Sequence, residues 1–530
     1  MCAGDTIGRD DVADLLARLA DRSLVIATQT RPGVRFRVLQ TLAEYGREKL
    51  AARGDLAAVR ARHARWVASF VDVPDGGQGP AWFAAMGKSL EDIRRAMESA
   101  LASGDADTSL ALACGLAWFW GGGGVIDDCW RWLTASLSLA QQPTARSVRA
   151  LALAEHLSLA QGRDHTLAYG EKAVGLGRTV GDPSALAFAA VIHGSALTGF
   201  FGQRERAVQL LEEAGALLQS DGGAWSAATG LLSCGVAALA RTDLDQAWTL
   251  LRRAADDFAT MGNARARAAA LRQLADLAVM RGRYEDAAAA LREALSGLGP
   301  DDVAGITSMA QLGCLHEVLG RSAEADRWHA RARAAAENQQ HVPLLAFASN
   351  AEGLTLRRRG RLGEAEHCHR RALGLCRERG VLTGLALAHA SLGHLAELRH
   401  DGVAAEQHHR ASLDAACGAA DLQAQALALE GLAGAASLQG DARATGRLLG
   451  AAAALREGTL GPVLGAATAL RETITGRLSA AERIDTDRAV ARFGDRETLD
   501  AAFAEGLRDP QAVLSVTRAR NSDPASDQRS

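Results

Sequence analysis

The sequence predicts an all-α protein, most of it a solenoid of stacked helix pairs. A turn that begins with glycine and places alanine five positions later recurs with a period of about 40 residues. Aromatic residues make up only 4% of the chain and there are 10 prolines, which favours helix interfaces lined by alanine and leucine over a β-sandwich. The seven anchor positions, whose successive intervals are equal except for one that is slightly shorter, are Ala207, Ala247, Ala287, Ala325, Ala365, Ala405 and Thr445.

Each repeat is expected to form a helix, a tight turn and a second helix, which we call the A helix and the B helix. A glycine such as Gly282 or Gly360 would end the A helix, because glycine adopts positive φ without strain. The B helix would then place three positions on one face: the anchor, a larger side chain four residues on, and a small one seven residues on. The larger side chains are Leu211, Leu251, Leu291, His329, His369, His409 and Leu449, and the small ones are Ala214, Ala254, Ala294, Ala332, Ala372, Ser412 and Ala452.

The A helices carry a small residue of their own, which we expect to mark a close approach to a neighbouring helix. Glycine inside a helix costs about 1 kcal/mol relative to alanine. Its recurrence within one chain therefore points to a packing reason, with an exception near Leu274. The glycines are Gly194, Gly235, Gly313, Gly353, Gly393 and Gly434.

Composition excludes several classes of protein. The formal net charge is −3, from 59 Lys and Arg against 62 Asp and Glu, so no global basic field attracts nucleic acid. Apolar residues make up 48% of the chain, too many for a disordered polyanion. The 8 cysteines show no CxxC spacing, which argues against a disulfide framework or a cysteine-based zinc site. Without a signal-peptide pattern or an apolar run long enough to span a bilayer, we expect a cytoplasmic protein without membrane contact.

The segment 1–72 is predicted to be of a different kind from the repeats. Residues 10–20 have the pattern of an amphipathic helix. Residues 23–28 and 34–40 are β-rich and are joined by a turn that contains Gly33. Helices are predicted to follow over residues 41–52 and 55–72.

The repeats resemble tetratricopeptide-type (TPR) repeats, although their period is longer than the usual one of about 34 residues. Together with the phrases LLARLADRSLV and FRVLQTLAEYGREKL, they resemble the region that follows the nucleotide-binding domain in actinobacterial STAND (signal-transduction ATPase) transcriptional regulators. The resemblance covers about residues 9–506. It implies a partial winged helix in 1–72, irregular helix pairs in 73–180, TPR-like repeats in 181–456 and capping helices in 457–507, before a polar tail in 508–530 that we expect to be disordered.

The resemblance also implies an ATPase domain upstream of such a region, often preceded by a DNA-binding domain. The only Gly-Lys-Ser of this chain is Gly87-Lys88-Ser89. A phosphate-binding loop needs a glycine five residues before Gly87, where Trp82 stands. No nucleotide-binding residue is therefore predicted, and ATP hydrolysis is not expected of this polypeptide alone.

Histidines offer the best candidates for an unexpected site. His329, His369 and His409 recur at equivalent repeat positions, and His367 lies beside the second of them. One interpretation is a metal-binding ladder; the other is that histidine replaces leucine at a half-buried position between helices. Imidazoles in consecutive repeats, about 10 Å apart, lie too far apart to share one ion. We therefore predict no metal and no cofactor, and keep His367, His369 and His409 as weak metal candidates.

Two further features have both a functional and a structural interpretation. Gly121–Gly124 lies inside the tryptophan-rich segment Trp118–Trp132, but a helix precedes it where a phosphate cradle needs a strand. We expect a loop with core tryptophans there, with an aromatic ligand pocket as the alternative. The predicted wing carries Arg31, Arg35 and Arg37, which could contact DNA phosphates but are more typical of a solvated face.

The A helices are expected to line the concave face of the solenoid, which is the natural binding surface. Side chains three before, one after and four after the small residue of an A helix should share that face. Five residues are nominated on this basis, against the alternative that each is an ordinary solvated position: Glu317, Asn350, Arg357, His394 and Glu397.

The sequence thus favours a non-catalytic TPR module for protein–protein interaction or effector sensing in a bacterial transcriptional or signalling regulator. Its expected partner is a protein or peptide, or a small-molecule effector, and no direct contact with nucleic acid is expected. The alternative is a small-molecule-binding protein or an enzyme built on the solenoid, with a site near Trp118–Trp132 or in the His367–His409 region. A third hypothesis is a truncated regulator that works with a separately encoded ATPase.

Overall fold

A computed structural model describes residues 7–8, 10–30, 33–72, 82, 85–86, 89–120, 126–161, 166–197, 203–300, 302–339, 341–419, 421–458 and 513. These residues contain 22 helices and one small sheet, and the all-α fold class with TPR-like helix pairs is confirmed. The chain divides into two compact units, residues 1–119 with 131–142 and residues 120–130 with 143–530.

The elements, in chain order, are α1 (Asp11–Asp21), β1 (Val25–Thr30), β2 (Gly33–Val38), α2 (Gln40–Ala52), α3 (Leu56–Val71), α4 (Leu90–Ala102), α5 (Ala106–Trp120), α6 (Ile126–Leu139), α7 (Ala145–Gln161), α8 (Thr166–Val180), α9 (Pro183–Leu197), α10 (Arg204–Ser220), α11 (Ala224–Ala240), α12 (Leu244–Thr260), α13 (Ala264–Met280), α14 (Tyr284–Leu295), α15 (Val303–Val318), α16 (Ser322–Asn338), α17 (Val342–Arg358), α18 (Leu362–Arg379), α19 (Leu382–Leu398), α20 (Gly402–Gly418), α21 (Leu422–Leu438) and α22 (Ala442–Gly458).

The first unit begins with the helix, hairpin and helix that the sequence predicts. The two strands are antiparallel, with Val25 opposite Val38 and Thr30 opposite Gly33. No residue of α1 is buried. The hairpin also leaves large apolar side chains in contact with solvent, with Ile26 47% and Phe36 39% exposed. This part of the described chain therefore presents apolar surface, whereas α3, α4 and α6 bury apolar side chains such as Val71, Ile93 and Leu133.

In the second unit, seven helix pairs from α9 to α22 reproduce the predicted repeats, with odd-numbered A helices and even-numbered B helices. Glycine closes A helices as expected, since φ is 70° at Gly282, 77° at Gly320 and 76° at Gly360. Thr242 and His400 occupy the same turn position with φ of 63° and 59°. A left-handed conformation costs a side-chain-bearing residue about 1–2 kcal/mol, so the turn geometry is imposed by the packing of the helices it joins.

The closest approach within each pair lies where a B-helix side chain packs against the A-helix glycine. All seven anchors are 0% exposed. The residue four positions after the anchor fills the space that the glycine leaves empty, and we call this contact the glycine notch. A Cβ added to the glycine would lie within 2.9 Å of that side chain at Gly194 with Leu211, Gly235 with Leu251, Gly313 with His329, Gly353 with His369 and Gly393 with His409.

Two A helices depart from the predicted glycine positions. Ala275, 2% exposed, stands at the same distance in sequence before Leu291 as Gly313 does before His329, so a small residue is present beside Leu274 after all. Gly434 marks a close approach to a neighbouring helix, as expected, but its partner differs from that of the other A-helix glycines. A Cβ on Gly434 would lie 2.9 Å from the carboxyl group of Glu397, on a different helix from its own B helix.

A further set of contacts, which the sequence did not reveal, joins each turn to the repeat before it. The residue that precedes the positive-φ turn position is arginine or glutamine in five repeats, and it binds an acidic side chain on the preceding B helix. Exposed pairs of this kind contribute about 0–1 kcal/mol each, so they mainly align neighbouring repeats. The pairs are Arg241 with Glu212, Arg281 with Asp245, Arg359 with Asp326, Arg399 with Glu366, and Gln439 with Glu406.

The predicted ends of the chain fall mostly beyond the described part. Of the predicted capping helices in 457–507, only residues 457–458, at the end of α22, are described. Of the tail in 508–530, only Val513 is described, and it is 5% exposed against α21 and α22 residues such as Leu432 and Leu455.

The glycine notch predicts opposite effects for two Gly→Ala substitutions in one repeat. Gly353→Ala places a Cβ 2.6 Å from the His369 ring, which is buried and held by a hydrogen bond and so cannot move aside. We expect a loss of about 1–3 kcal/mol in the free energy of unfolding, typical of an overpacked core. Gly374→Ala, in the B helix of the same repeat, has open space around the new Cβ and should gain about 1 kcal/mol.

Urea denaturation followed by circular dichroism measures both changes. Equal destabilisation by the two substitutions would show that the notch is not what requires Gly353.

Candidate functional site

Four of the five nominated concave-face residues lie together in the structure. They contribute to a buried polar seam, which we define as Asn350, Arg357, His369, His394, Glu397 and His409. A helices α17 and α19 supply four of its members, and B helices α18 and α20 supply the two histidines that fill glycine notches. The site is therefore built on the closest helix contacts of the solenoid.

The first half of the seam is centred on His369. His369 is 0% exposed, and its Nδ1 is hydrogen-bonded to Asn350 Oδ1 at 2.7 Å. Since an amide oxygen only accepts, the ring carries its proton on Nδ1. Burial, followed by the positive charge of Arg357, lowers the pKa of His369 to about 3. Arg357 itself is only 3% exposed.

The second half joins two histidines and a carboxylate. Glu397 Oε1 accepts a hydrogen bond from His409 Nε2 at 2.5 Å, and the rings of His394 and His409 meet edge to face with centroids 4.9 Å apart. Burial lowers the pKa of His394 to about 3, although the charge of Glu397 opposes this shift. Burial alone would raise the pKa of Glu397, but the charges of His409, His394 and Arg357 and the hydrogen bond from His409 together lower it.

The fifth nominated residue, Glu317, has a different role. It forms an ion pair with Arg359 at 2.6 Å, and its side chain is 10% exposed. The neighbouring notch histidine, His329, hydrogen-bonds Thr355 of the next A helix at 2.9 Å through Nε2. Burial lowers the pKa of His329 to about 4. Glu317 and His329 belong to α15 and α16, the helix pair that precedes the seam.

The remaining candidates from the sequence are distributed as follows. His367 is exposed on the outer face of α18. Within Trp118–Trp132, Trp132 is 6% exposed and Trp130 packs edge to face on Tyr169, while the Gly121–Gly124 run lies outside the described residues. Of the wing arginines, Arg37 is exposed, Arg31 lies outside the described residues, and the Arg35 side chain is likewise not described. Gly87 and Lys88 also fall outside the described part.

Sequence reasoning missed a further pair of ionisable residues on the same face. Arg272 and Asp276 stand three before and one after Ala275, the positions that define the concave face. Asp276 is 3% exposed, and burial raises its pKa well above the usual range against the opposing charge of Arg272. The pair could have been found by applying the concave-face rule with Ala275 as the small residue, in place of treating Leu274 as an exception.

A further buried pair lies nearer the start of the second unit and joins α7 to α9. His193 Nδ1 and Glu155 Oε1 are 2.8 Å apart, and both side chains are 0% exposed. Burial raises the pKa of Glu155 despite the hydrogen bond from His193. Here the notch is reversed, because its glycine, Gly170, lies on the second helix of the pair, α8. A Cβ added to Gly170 would overlap both side chains.

No helix in the described part of the chain is both long enough and apolar enough to cross a membrane.

Part of the chain is similar in sequence to known regulators. No protein-family model matches the sequence. Candidate HTH-type transcriptional regulators of Mycobacterium tuberculosis and Mycobacterium bovis are 28% identical over 199 residues, 35% of this chain. The match spans only 22% of the length of these relatives.

Among solved structures, similarity is low in sequence and in geometry. A STAND protein with a tetratricopeptide repeat sensor from Pyrococcus horikoshii is 14% identical, covering 76% of this chain and 58% of its own, with a TM-score of 0.45. A Rap protein complexed with competence and sporulation factor is 12% identical, covering 61% and 98%, with a TM-score of 0.40. The apo form of the quorum sensor NprR from B. thuringiensis is 11% identical, covering 77% and 97%, with a TM-score of 0.42.

The lowered histidine pKa values predict that the protein loses stability in mild acid. Below pH 6.5 the unfolded chain takes up a proton at His369, whereas the folded protein takes it up only near pH 3. The contribution of His369 is thus complete above pH 6.5 and is lost at about 1.4 kcal/mol per pH unit below it. His369→Leu should flatten the fall in unfolding free energy between neutral pH and about pH 5.

Urea titrations at the two pH values test this prediction, and His367→Ala is the matched control because His367 is exposed on the same helix. An unchanged pH dependence in His369→Leu would contradict it.

Proposed function

We propose that this chain is a non-catalytic recognition module of a bacterial transcriptional or signalling regulator. Its A helices would bind a peptide or protein segment, or a small effector, along the face that carries the polar seam. The support comes from three sources: the helix-pair array, the chemistry of the seam, and the partial similarity to HTH-type transcriptional regulators.

The observation that carries the proposal is the incomplete hydrogen bonding of the Asn350–His369 pair. Asn350 Nδ2 and His369 Nε2 have no hydrogen-bond partner within the described part of the chain. One is a donor and, because Nδ1 holds the ring proton, the other is an acceptor. A buried polar group without a partner costs about 1–3 kcal/mol. Both atoms are inaccessible in this structure, so a peptide bond, which offers both an N–H and a C=O, would satisfy the pair together by opening the contact between α17 and α18.

The same face offers charges of both signs. Arg357 and Glu397 occupy equivalent positions on successive A helices, and Arg272 adds a positive charge nearer the start of the array. A ligand that carries both an amine and a carboxylate, as every peptide does, would find a counter-charge for each end. The proposal therefore favours a peptide or amino-acid-like effector over a polyanion such as nucleic acid.

The first unit fits a role within a larger regulator. Its hairpin and α1 expose apolar side chains, among them Leu19, Ile26 and Phe36. Exposed apolar groups that cluster on one element are typical of a surface that packs against another domain or protein. Such a contact would agree with a winged-helix element next to an ATPase domain, supplied by the same polypeptide or by another.

A selection from a displayed library of random peptides tests the proposed recognition. The purified full chain, kept in a buffer with a chelator, should enrich particular peptides from the library. His369→Leu should weaken binding of an enriched synthetic peptide by about 10–100-fold, the loss expected for one or two buried hydrogen bonds. Isothermal titration calorimetry measures the affinity.

His329→Leu is the matched control, because it makes the same substitution at the equivalent position one repeat earlier, and it should bind the peptide as the wild type does. Two results would overturn the proposal: no peptide enriched above a bead-only selection, or equal affinity of the two variants.

A further inference from the structure

We infer that His394, Glu397 and His409 form a binding site for one divalent transition-metal ion of the zinc class. Each of the three offers a ligand atom, and these atoms all lie within 4.8 Å of one another. Two imidazoles and one carboxylate are a common protein ligand set for zinc, which leaves a fourth position open for water or another ligand. The site joins the A helix α19 to the B helix α20 of one repeat.

The backbone dictates this arrangement of ligands. His394 and Glu397 are three residues apart on α19 and so lie on one face of that helix. His409 reaches them from α20 only because it fills the notch at Gly393. The ligands thus come from two helices of the same repeat, which avoids the wide spacing that prevents notch histidines of consecutive repeats from sharing an ion.

Three glycines on two helices make room for the ligands. A Cβ at Gly393 would lie 2.5 Å from the His409 ring, one at Gly431 would overlap that ring, and one at Gly434 would lie 2.9 Å from the Glu397 carboxyl carbon. Gly431 and Gly434 belong to α21, the A helix of the following repeat, and this explains why Gly434 is not a notch residue. Three helix glycines, each costing about 1 kcal/mol relative to alanine, are therefore placed around one cluster.

Each of the two imidazoles has a ring nitrogen that could bind a metal ion. A ring nitrogen of His394 is hydrogen-bonded to the backbone of Ala390 in a contact that favours the protonated nitrogen, which fixes the tautomer and leaves the other nitrogen with its lone pair. His409 Nδ1 is buried without a hydrogen-bond partner in the described part of the chain. Glu397 Oε1 lies 2.5 Å from His409 Nε2, and an ion bound between them would take the place of the proton that Nε2 donates to the carboxylate.

Arg357 sets a limit on the affinity. Its charge acts on His394 and on Glu397, and it would oppose a second cation nearby. With three ligands and this repulsion, we expect weaker binding than at a structural zinc site with four ligands. The open fourth position would favour an anionic ligand for the same reason.

Zinc titration of untagged full chain, stripped by chelator, tests the site. The wild type should bind about one zinc ion per chain by mass spectrometry of metal content after gel filtration, and Co²⁺ bound in its place should show visible absorption bands from nitrogen ligands. Glu397→Gln and His409→Leu should each weaken zinc binding at least about 100-fold, since even partners outside the ligand shell change affinity by about 10–100-fold.

Two controls separate this site from other histidines. His329→Leu repeats the notch substitution away from the site and should bind zinc as the wild type does. His408→Gln removes a member of the His389–His408 pair, whose Nδ1 atoms are 3.1 Å apart, and should also leave binding unchanged. Leucine at notch positions such as Leu251 shows that the His409→Leu side chain is compatible with the fold, and Glu397→Gln keeps the same shape.

The inference is overturned if the wild type binds no zinc in a fixed ratio to the chain, or if Glu397→Gln and His409→Leu bind it as the wild type does. Loss of binding in His408→Gln would also overturn it, because it would place the ion at the neighbouring histidine pair.

Discussion

The glycine notch is the contact on which the rest of the solenoid depends. In five of the seven helix pairs, the B helix lies so close to the A helix that a single added Cβ would come within 2.9 Å of the opposing side chain. This separation sets the turn, and Thr242 and His400 accept positive φ to satisfy it. It also aligns each turn with the preceding B helix, so that the arginine or glutamine before the turn can bind an acidic side chain of that helix. Helix spacing, turn conformation and contacts between repeats thus follow from one steric requirement.

The same requirement explains why a polar seam exists in the core of a helical array. A notch side chain is fully surrounded, so leucine needs nothing further, whereas histidine brings two ring nitrogens that must be satisfied there. The partner differs each time: Thr355 for His329, Asn350 for His369 and Glu397 for His409. Each partner is on an A helix, either of the same repeat or of the next one. Polar residues on the A helices are therefore coupled to histidines on the B helices.

The sequence predicted the repeat frame well because glycine and alanine report backbone proximity directly, through the absence of a side chain. It placed the notch histidines in equivalent positions for the same reason. It did not predict their partners, since a hydrogen bond between α17 and α18 depends on rotation of each helix, which a spacing rule gives only to within a residue. Gly434 shows the limit: periodicity grouped it with the other A-helix glycines, but the side chain nearest to it is Glu397 of the preceding A helix. Glu155 and His193 escaped notice because their notch is reversed and its glycine is Gly170.

The notches of this chain that hold leucine provide a comparison for those that hold histidine. Leu211, Leu251 and Leu291 fill their notches with at most 1% exposure, so the packing problem has an apolar solution in this same protein. Three consecutive repeats use histidine in its place, and each buries a ring nitrogen with no partner in the described residues. Each such atom costs stability that leucine would not lose. Departures from the packing optimum that cluster at one place in a fold are expected where the residues serve binding. The histidines of α18 and α20 are therefore the residues on which the proposed peptide and metal sites rest.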